Sequence, residues 1–219
     1  MKKYLKQLQN NELFNNFNLN DLESILNCLS AKVNYYKKKD LIIQQGAHVH
    51  YVGIVLSGGI QIIKEDIEGN INILSHLGIN DIFAEAFAYA DIYECPITVQ
   101  ATENCEIIFI DCKRIIKTCN NACVFHWNLI ENMLSMIARK NIMLNQKMEI
   151  LSKRTIREKL LAFFNTQVQM NHSKKFSIPY NREGLAFYLC VDRSALSREL
   201  SNMRDEGLLK FNKNEFEIL

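Results

Sequence analysis

Four side chains within one short run, Arg193, Ser194, Ser197 and Arg198, are of the types that read nucleic acid. An arginine's planar fork can donate two hydrogen bonds to guanine O6 and N7 or clamp a phosphate, and a serine adds a short adaptable donor and acceptor. Arg182 upstream and Lys210 and Lys213 downstream suit backbone phosphates better than bases. A second set, Cys119, Cys123 and His126, is spaced i, i+4, i+7 along one helical face, where thiolates and an imidazole could hold a metal or sense a redox change. The plainer account, small cysteines filling a junction as minor hydrophobes, is preferred. A third pair, His48 and His50, is followed by Tyr51, Val52, Gly53, Ile54 and Val55 with no glutamate, and no later histidine completes a metal set. That pair reads as a polar turn.

The elements that must position the arginines follow from capping and periodicity. Asn181 can cap a helix whose apolar face is Leu185, Ala186 and Leu189, and Asp192 can cap a second that buries Ala195, Leu196, Leu200 and Met203. Two helices joined by a few residues around Cys190 and Val191 make a helix-turn-helix, whose second helix enters the major groove N-terminus first. Gly207 can end that helix, and the runs from Leu208 and from Phe216 then pair as a hairpin, giving a winged form.

Upstream, the stretch from Asn121 to Leu151 holds no Gly or Pro, and apolar residues recur at heptad spacing at Trp127, Ile130, Leu134, Ile137, Leu144, Met148 and Leu151. With Asn141 at an a position they form one seam of alternating three- and four-residue steps, the pattern of a dimeric coiled coil with a register-setting polar residue. Thr155 and Glu158 have capping-box spacing, so a new helix starts there and Ser152 to Arg154 is a break and hinge candidate.

Residues 1 to 30 read as short helices, with Asn20 and Glu23 placed as cap and partner. From Leu41 to Ile110 the period changes to short strands at Leu41–Ile43, Ile60–Ile63, Ile71–Leu74, Ile97–Gln100 and Ile107–Ile110, divided by glycine- and asparagine-bearing turns. That spacing suits a small antiparallel barrel or jelly roll. The fold expected is α+β: an N-terminal jelly-roll β-barrel with helices over 1–120, a dimerisation helix over 121–151, and a winged helix-turn-helix over 152–219.

The totals agree with this division. A chain of 219 residues can fold as two modest domains. From Leu151 onward 12 Lys and Arg face 8 Asp and Glu, against 14 and 16 before it, so the basic excess lies at the reading end. With no run of about 18 apolar residues and no export pattern, a cytoplasmic protein without membrane contact and with its seven cysteines reduced is expected.

Three runs together resemble the Crp/Fnr regulators, the catabolite activator and fumarate-nitrate reductase regulator family. They are Tyr51-Val-Gly-Ile-Val-Leu-Ser-Gly58, then Ile82-Phe-Ala-Glu85 with Pro96-Ile-Thr-Val-Gln-Ala101, and the helix-turn-helix from Leu185 to Gly207. The resemblance covers essentially the whole chain. It implies a cyclic-nucleotide-binding-like barrel, a homodimer, and sequence-specific binding to a palindromic operator in double-stranded DNA, with RNA polymerase as a further partner.

It also places an effector pocket at Ala84, Glu85, Cys95 and Pro96. The cyclic-nucleotide-binding members carry a Gly-Glu pair and an Arg-Ser/Thr pair around the phosphate, whereas here the pairs are Ala84-Glu85 and Cys95-Pro96. Without the arginine a buried phosphate would lack a counter-charge, which argues against cyclic AMP. Only Cys28 precedes Cys95, which argues against an N-terminal iron-sulfur cluster. The effector stays unidentified. A sensor barrel that regulates a protein partner is the competing reading, and a metal-dependent enzyme on the cupin pattern, suggested only by His48 and His50, is the remote one.

Overall fold

The computed structural model describes all residues except 67, 69, 70, 91 and 117–123. Two compact units emerge, Met1–Met136 and Ile137–Leu219. The first begins with a short helix α1 (Leu5–Leu8) and α2 (Leu19–Cys28). The cap of α2 is Asn18, whose Oδ1 accepts the Asp21 N–H at 2.9 Å. The expected cap, Asn20, instead lies inside the first turn, because Asn18 is the residue with extended backbone immediately before the helix.

The strands β1 (Lys32–Tyr36), β2 (Leu41–Ile43), β3 (Tyr51–Ser57), β4 (Ile60–Glu65), β5 (Ile71–Leu77), β6 (Ile82–Phe83), β7 (Thr98–Ala101) and β8 (Cys105–Asp111) form two four-stranded antiparallel sheets, interrupted by α3 (Glu85–Tyr89). Their orders are β1-β8-β3-β6 and β2-β7-β4-β5. The continuous apolar run of β3 is explained by burial on both faces. Val52, Ile54 and Leu56 join a core with Leu22, Ile25 and Leu26 of α2, while Val55 joins Ile60, Val99 and Ile107 in a second core. On β8 the same alternation sends Ile108 and Ile110 to the first core and Cys105 and Ile107 to the second.

After α4 (Cys112–Ile116) comes α5 (Val124–Ser152), a helix of 29 residues. Its Leu129, Met133 and Met136 complete the first core, and Asn132 Nδ2 donates to the carbonyls of Leu13 and Asn15 at 3.1 and 2.9 Å. Farther along, Ile150 is buried among the apolar residues of the second unit.

The second unit continues with α6 (Ile156–Asn171), β9 (Lys175–Ser177), α7 (Arg182–Leu189), α8 (Arg193–Asp205), β10 (Leu209–Asn212) and β11 (Glu215–Ile218), the strands ordered β10-β11-β9. The helix α6 opens on the capping box read from the sequence, with Thr155 and Glu158 each bonding the other's backbone N–H at 3.1 and 3.0 Å. Phe163, Phe164, Leu185, Leu189, Leu196, Leu200, Met203, Leu209 and Phe216 form one core that joins the helices to the small sheet.

Candidate nucleic-acid interface and sensor pocket

The helix α8 is placed by its own cap and by its buried face. Asp192 Oδ1 accepts the Ala195 N–H at 2.9 Å and the Ser194 hydroxyl at 2.6 Å. Those bonds, the Ser194 one first, hold the Asp192 carboxyl below the usual range, so the anion faces the positive end of the helix. Leu196, Leu200 and Met203 are fully buried, which turns Arg193, Ser194 and Arg198 outward. Ser197 is half-buried, as is Ala195. The Ser194 hydroxyl proton is already given to Asp192, so toward a ligand Ser194 offers its acceptor lone pairs.

The turn between α7 and α8 uses Cys190 in the left-handed region, φ 52°, with the Val191 N–H bonded to the Ala186 carbonyl at 3.0 Å. Lys159 Nζ donates to the Leu189 carbonyl at 3.1 Å and so satisfies one of the open acceptors at the end of α7. At the other end of α7 the Asn181 side chain accepts the Gly184 N–H at 2.8 Å.

Arg182 stacks its guanidinium over Phe211 and Phe216, 4.6 and 5.2 Å from the ring centroids. It is half-buried, and burial lowers its pKa while leaving it charged. Its side chain therefore fastens α7 to the β10–β11 hairpin, and Tyr180, Arg182, Arg193 and Lys213 line one groove of about 570 Å³. Lys210 is exposed on β10. The structure thus gathers Arg182, Arg193 and Lys213 on one groove, while Ser197 is turned partly toward the core.

One positioning residue has no local sequence signal. Arg157, in the first turn of α6, bonds Glu199 Oε1 at 2.5 Å and both Glu206 oxygens at 2.8 and 2.6 Å. Its acidic partners are 42 and 49 residues away, beyond the reach of any helical spacing rule.

In the first unit, Ala84 adopts φ 67° and caps α3, and Glu85 is 8% exposed. Ala84 and Cys95 meet in the second core, whereas Pro96 is exposed. Cys95 also exchanges backbone bonds with the β2–β3 loop, receiving the Gly46 N–H at 2.8 Å and donating to the Ala47 carbonyl at 2.9 Å.

Of the proposed thiol and imidazole set, Cys119 and Cys123 lie outside the described residues. His126 is buried, and its Nε2 lies 4.0 Å from Cys28 Sγ. Burial pushes the Cys112 thiol up to about 12, and raises that of Cys105, which makes both poor nucleophiles at neutral pH. His48 and His50 place their rings 3.9 Å apart, with Tyr93 5.6 Å from His48. Among the described residues, no group of three or more metal-ligating side chains is assembled.

Along the seam, Trp127, Leu134, Leu144 and Met148 are 68, 67, 63 and 63% exposed, and Ile137 is 37% exposed. Ile130 is half-buried, and Asn141 is exposed, accepting a 2.7 Å bond from Asn145 Nδ2. Among the described residues no helix is long and apolar enough to cross a membrane.

Residues 33–122 match the family model described as the cyclic nucleotide-binding domain. Over 181 residues the chain is 22% identical to the cAMP-activated global transcriptional regulator CRP of Salmonella typhimurium, covering 81% of this chain and 84% of that protein. The crystal structure of the Thermus thermophilus catabolite activator protein superposes with a TM-score of 0.56 at 18% identity, over 95% of this chain and 93% of that one. The c-di-GMP responsive global regulator CLP of Xanthomonas campestris gives a TM-score of 0.57 at 14% identity, over 92 and 99% of the two chains.

Proposed function

We propose that this chain, a regulator of the Crp/Fnr type with a sensor barrel and a winged helix-turn-helix, acts as a cytoplasmic homodimer that binds a palindromic DNA operator. The observation that carries this reading is the orientation of α8. Its buried Leu196, Leu200 and Met203 leave Arg193 and Arg198 facing solvent at the end that enters a major groove. The groove lined by Arg182, Arg193 and Lys213 extends the positive surface toward the phosphates beside that groove.

The exposed apolar seam of α5 supports dimerisation, because large apolar side chains repeated on one face are costly to leave in water. A dimer places its two recognition helices about 34 Å apart, one helical turn of DNA. The barrel biases the dimer helix and the Ser152–Arg154 break between two settings of the reading heads. RNA polymerase is the further partner through which bound protein changes transcription.

We infer that cyclic AMP is not the signal, since Ala84-Glu85 and Cys95-Pro96 supply no arginine for its phosphate. Selection of bound sequences from a random duplex pool tests the function. The expected result is a two-fold symmetric site with half-sites one turn apart, and a pool that shows no enrichment contradicts it.

A further inference from the structure

A second concave site lies in the sensor unit, apart from Ala84, Glu85, Cys95 and Pro96. It is a groove of about 480 Å³, within the size range of small-molecule pockets. Strand register explains its lining. Lys32 on β1 is paired with Phe109 on β8, and Tyr51 on β3 with Asp111 on β8, so these four side chains share one face of the sheet with Tyr36.

Tyr36 and Tyr51 meet Phe109 edge-on, at centroid distances of 6.4 and 6.5 Å, and form an aromatic wall. Arg114, from α4, completes the lining with Lys32 and Asp111. Asp111 already accepts the Lys113 N–H at 2.8 Å. Among the described residues neither Lys32 nor Arg114 has an ion pair within 4 Å.

We infer that this groove binds a small aromatic carboxylate, its ring against Tyr36, Tyr51 and Phe109 and its carboxylate between Arg114 and Lys32. Three features select that class. An aromatic wall favours a flat apolar body, because edge-to-face and offset contacts add to simple burial. Among the fully charged lining groups there is one more cation than carboxylate, which matches a monoanion. Arg114 offers a planar fork, whose geometry fits a carboxylate with two parallel bonds.

The site is built partly from α4, the element that precedes α5 in the chain. Arg114 lies in α4, between β8 and α5, so a ligand that joins it to Lys32 on β1 fixes α4 against the sheet. This coupling, unlike the binding itself, rests on the proposed DNA-binding function.

Calorimetric titration of the full chain with 2-naphthoate, and with 2-naphthamide as its neutral counterpart, tests the site. Saturable binding of the acid is expected, with the amide about tenfold weaker or more and Arg114→Gln and Tyr51→Ala each lowering acid affinity about tenfold. Both substitutions are at exposed side chains. No saturable binding, equal binding of acid and amide, or an unchanged affinity in Arg114→Gln overturns the site. Duplex-DNA affinity measured with and without saturating 2-naphthoate tests the coupling: an effect supports it, and an unchanged affinity overturns it while the calorimetry stands. A chain that binds the acid but never DNA refutes the proposed function and leaves the site intact.

Discussion

Arg157 Nε donates to Glu199 Oε1 at 2.5 Å, tying the first turn of α6 to the middle of α8. The same guanidinium holds Glu206, one residue beyond the end of that helix, through two further bonds. A fork that reaches two carboxylates fixes both the position and the rotation of α8, which a single point charge does not. The clamp follows immediately after the Ser152–Arg154 break, so it links the start of α6 to the helix that carries Arg193 and Arg198.

Arg157→Ala is therefore expected to weaken DNA binding several-fold without removing any DNA-facing side chain, with Arg157→Lys intermediate. The clamp also sets an acid limit. The Glu206 carboxyl is held below its ordinary value by Arg157, and Asp192 and Glu158 are likewise depressed by their hydrogen bonds. A depressed carboxylate contributes stability that is present above its unfolded pKa, about 4, and is lost as pH falls through the lower folded value. Thermal unfolding at falling pH should show the second unit losing stability below about pH 4, with a shallower loss in Glu206→Gln.

Gly53 is opposite Phe83 in the β3–β6 pair, and a Cβ built there would lie 2.3 Å from the Phe83 ring. Phe83 is 2% exposed inside the second core, so it has little room to yield. Gly53→Ala should cost about 1–3 kcal/mol by overpacking, read as a lower midpoint in denaturant unfolding.

The seam of α5 makes a prediction about assembly. Replacing Leu134 and Leu144 by glutamate should give monomers in sedimentation, since both face solvent within one chain and their loss leaves its cores untouched. Asn141→Leu should give a more stable assembly that is no longer confined to one oligomeric state, because the polar a position sets register at a cost in stability.

Thiol reactivity separates structural from accessible cysteines. Cys105 and Cys112 are buried, with thiols pushed up by that burial, while Cys28 and Cys190 are exposed. Peptide mapping after brief alkylation of native protein at pH 7 should find label on Cys28 and Cys190, and on Cys105 and Cys112 only after unfolding.

The helices of the reading unit were legible because their signals are local. Asn181, Asp192 and Thr155 each announce a helix start a few residues before an apolar face, and all three cap as expected. The strand β1 was not read, because Lys32-Val-Asn-Tyr-Tyr36 is an edge strand with only partial burial and no clear alternation. The two-residue β6 is too short for any period. Asn18 and Asn20 both precede the same apolar pattern, and only backbone conformation distinguishes them.

Among the site residues, those carried on one helix were readable, and those brought together by tertiary contact were not. The place of Arg182 at a helix start suggests a phosphate contact, but its stacking on Phe211 and Phe216 depends on the hairpin folding back some 29 residues later. The Arg157 clamp and the groove between Lys32 and Arg114 depend on side chains too distant in sequence to be associated by spacing.

The central claim, that α8 docks on DNA through Arg193 and Arg198, is tested most directly by the salt dependence of duplex binding. Affinity of the full chain for duplex DNA should fall steeply and linearly on a log–log plot against salt, as condensed counterions are released. The Arg193→Ala, Arg198→Ala double variant should lose specific binding while remaining dimeric in sedimentation. Affinity without a salt slope, or a double variant that binds as tightly as the parent, would contradict the account and favour a protein partner for this surface.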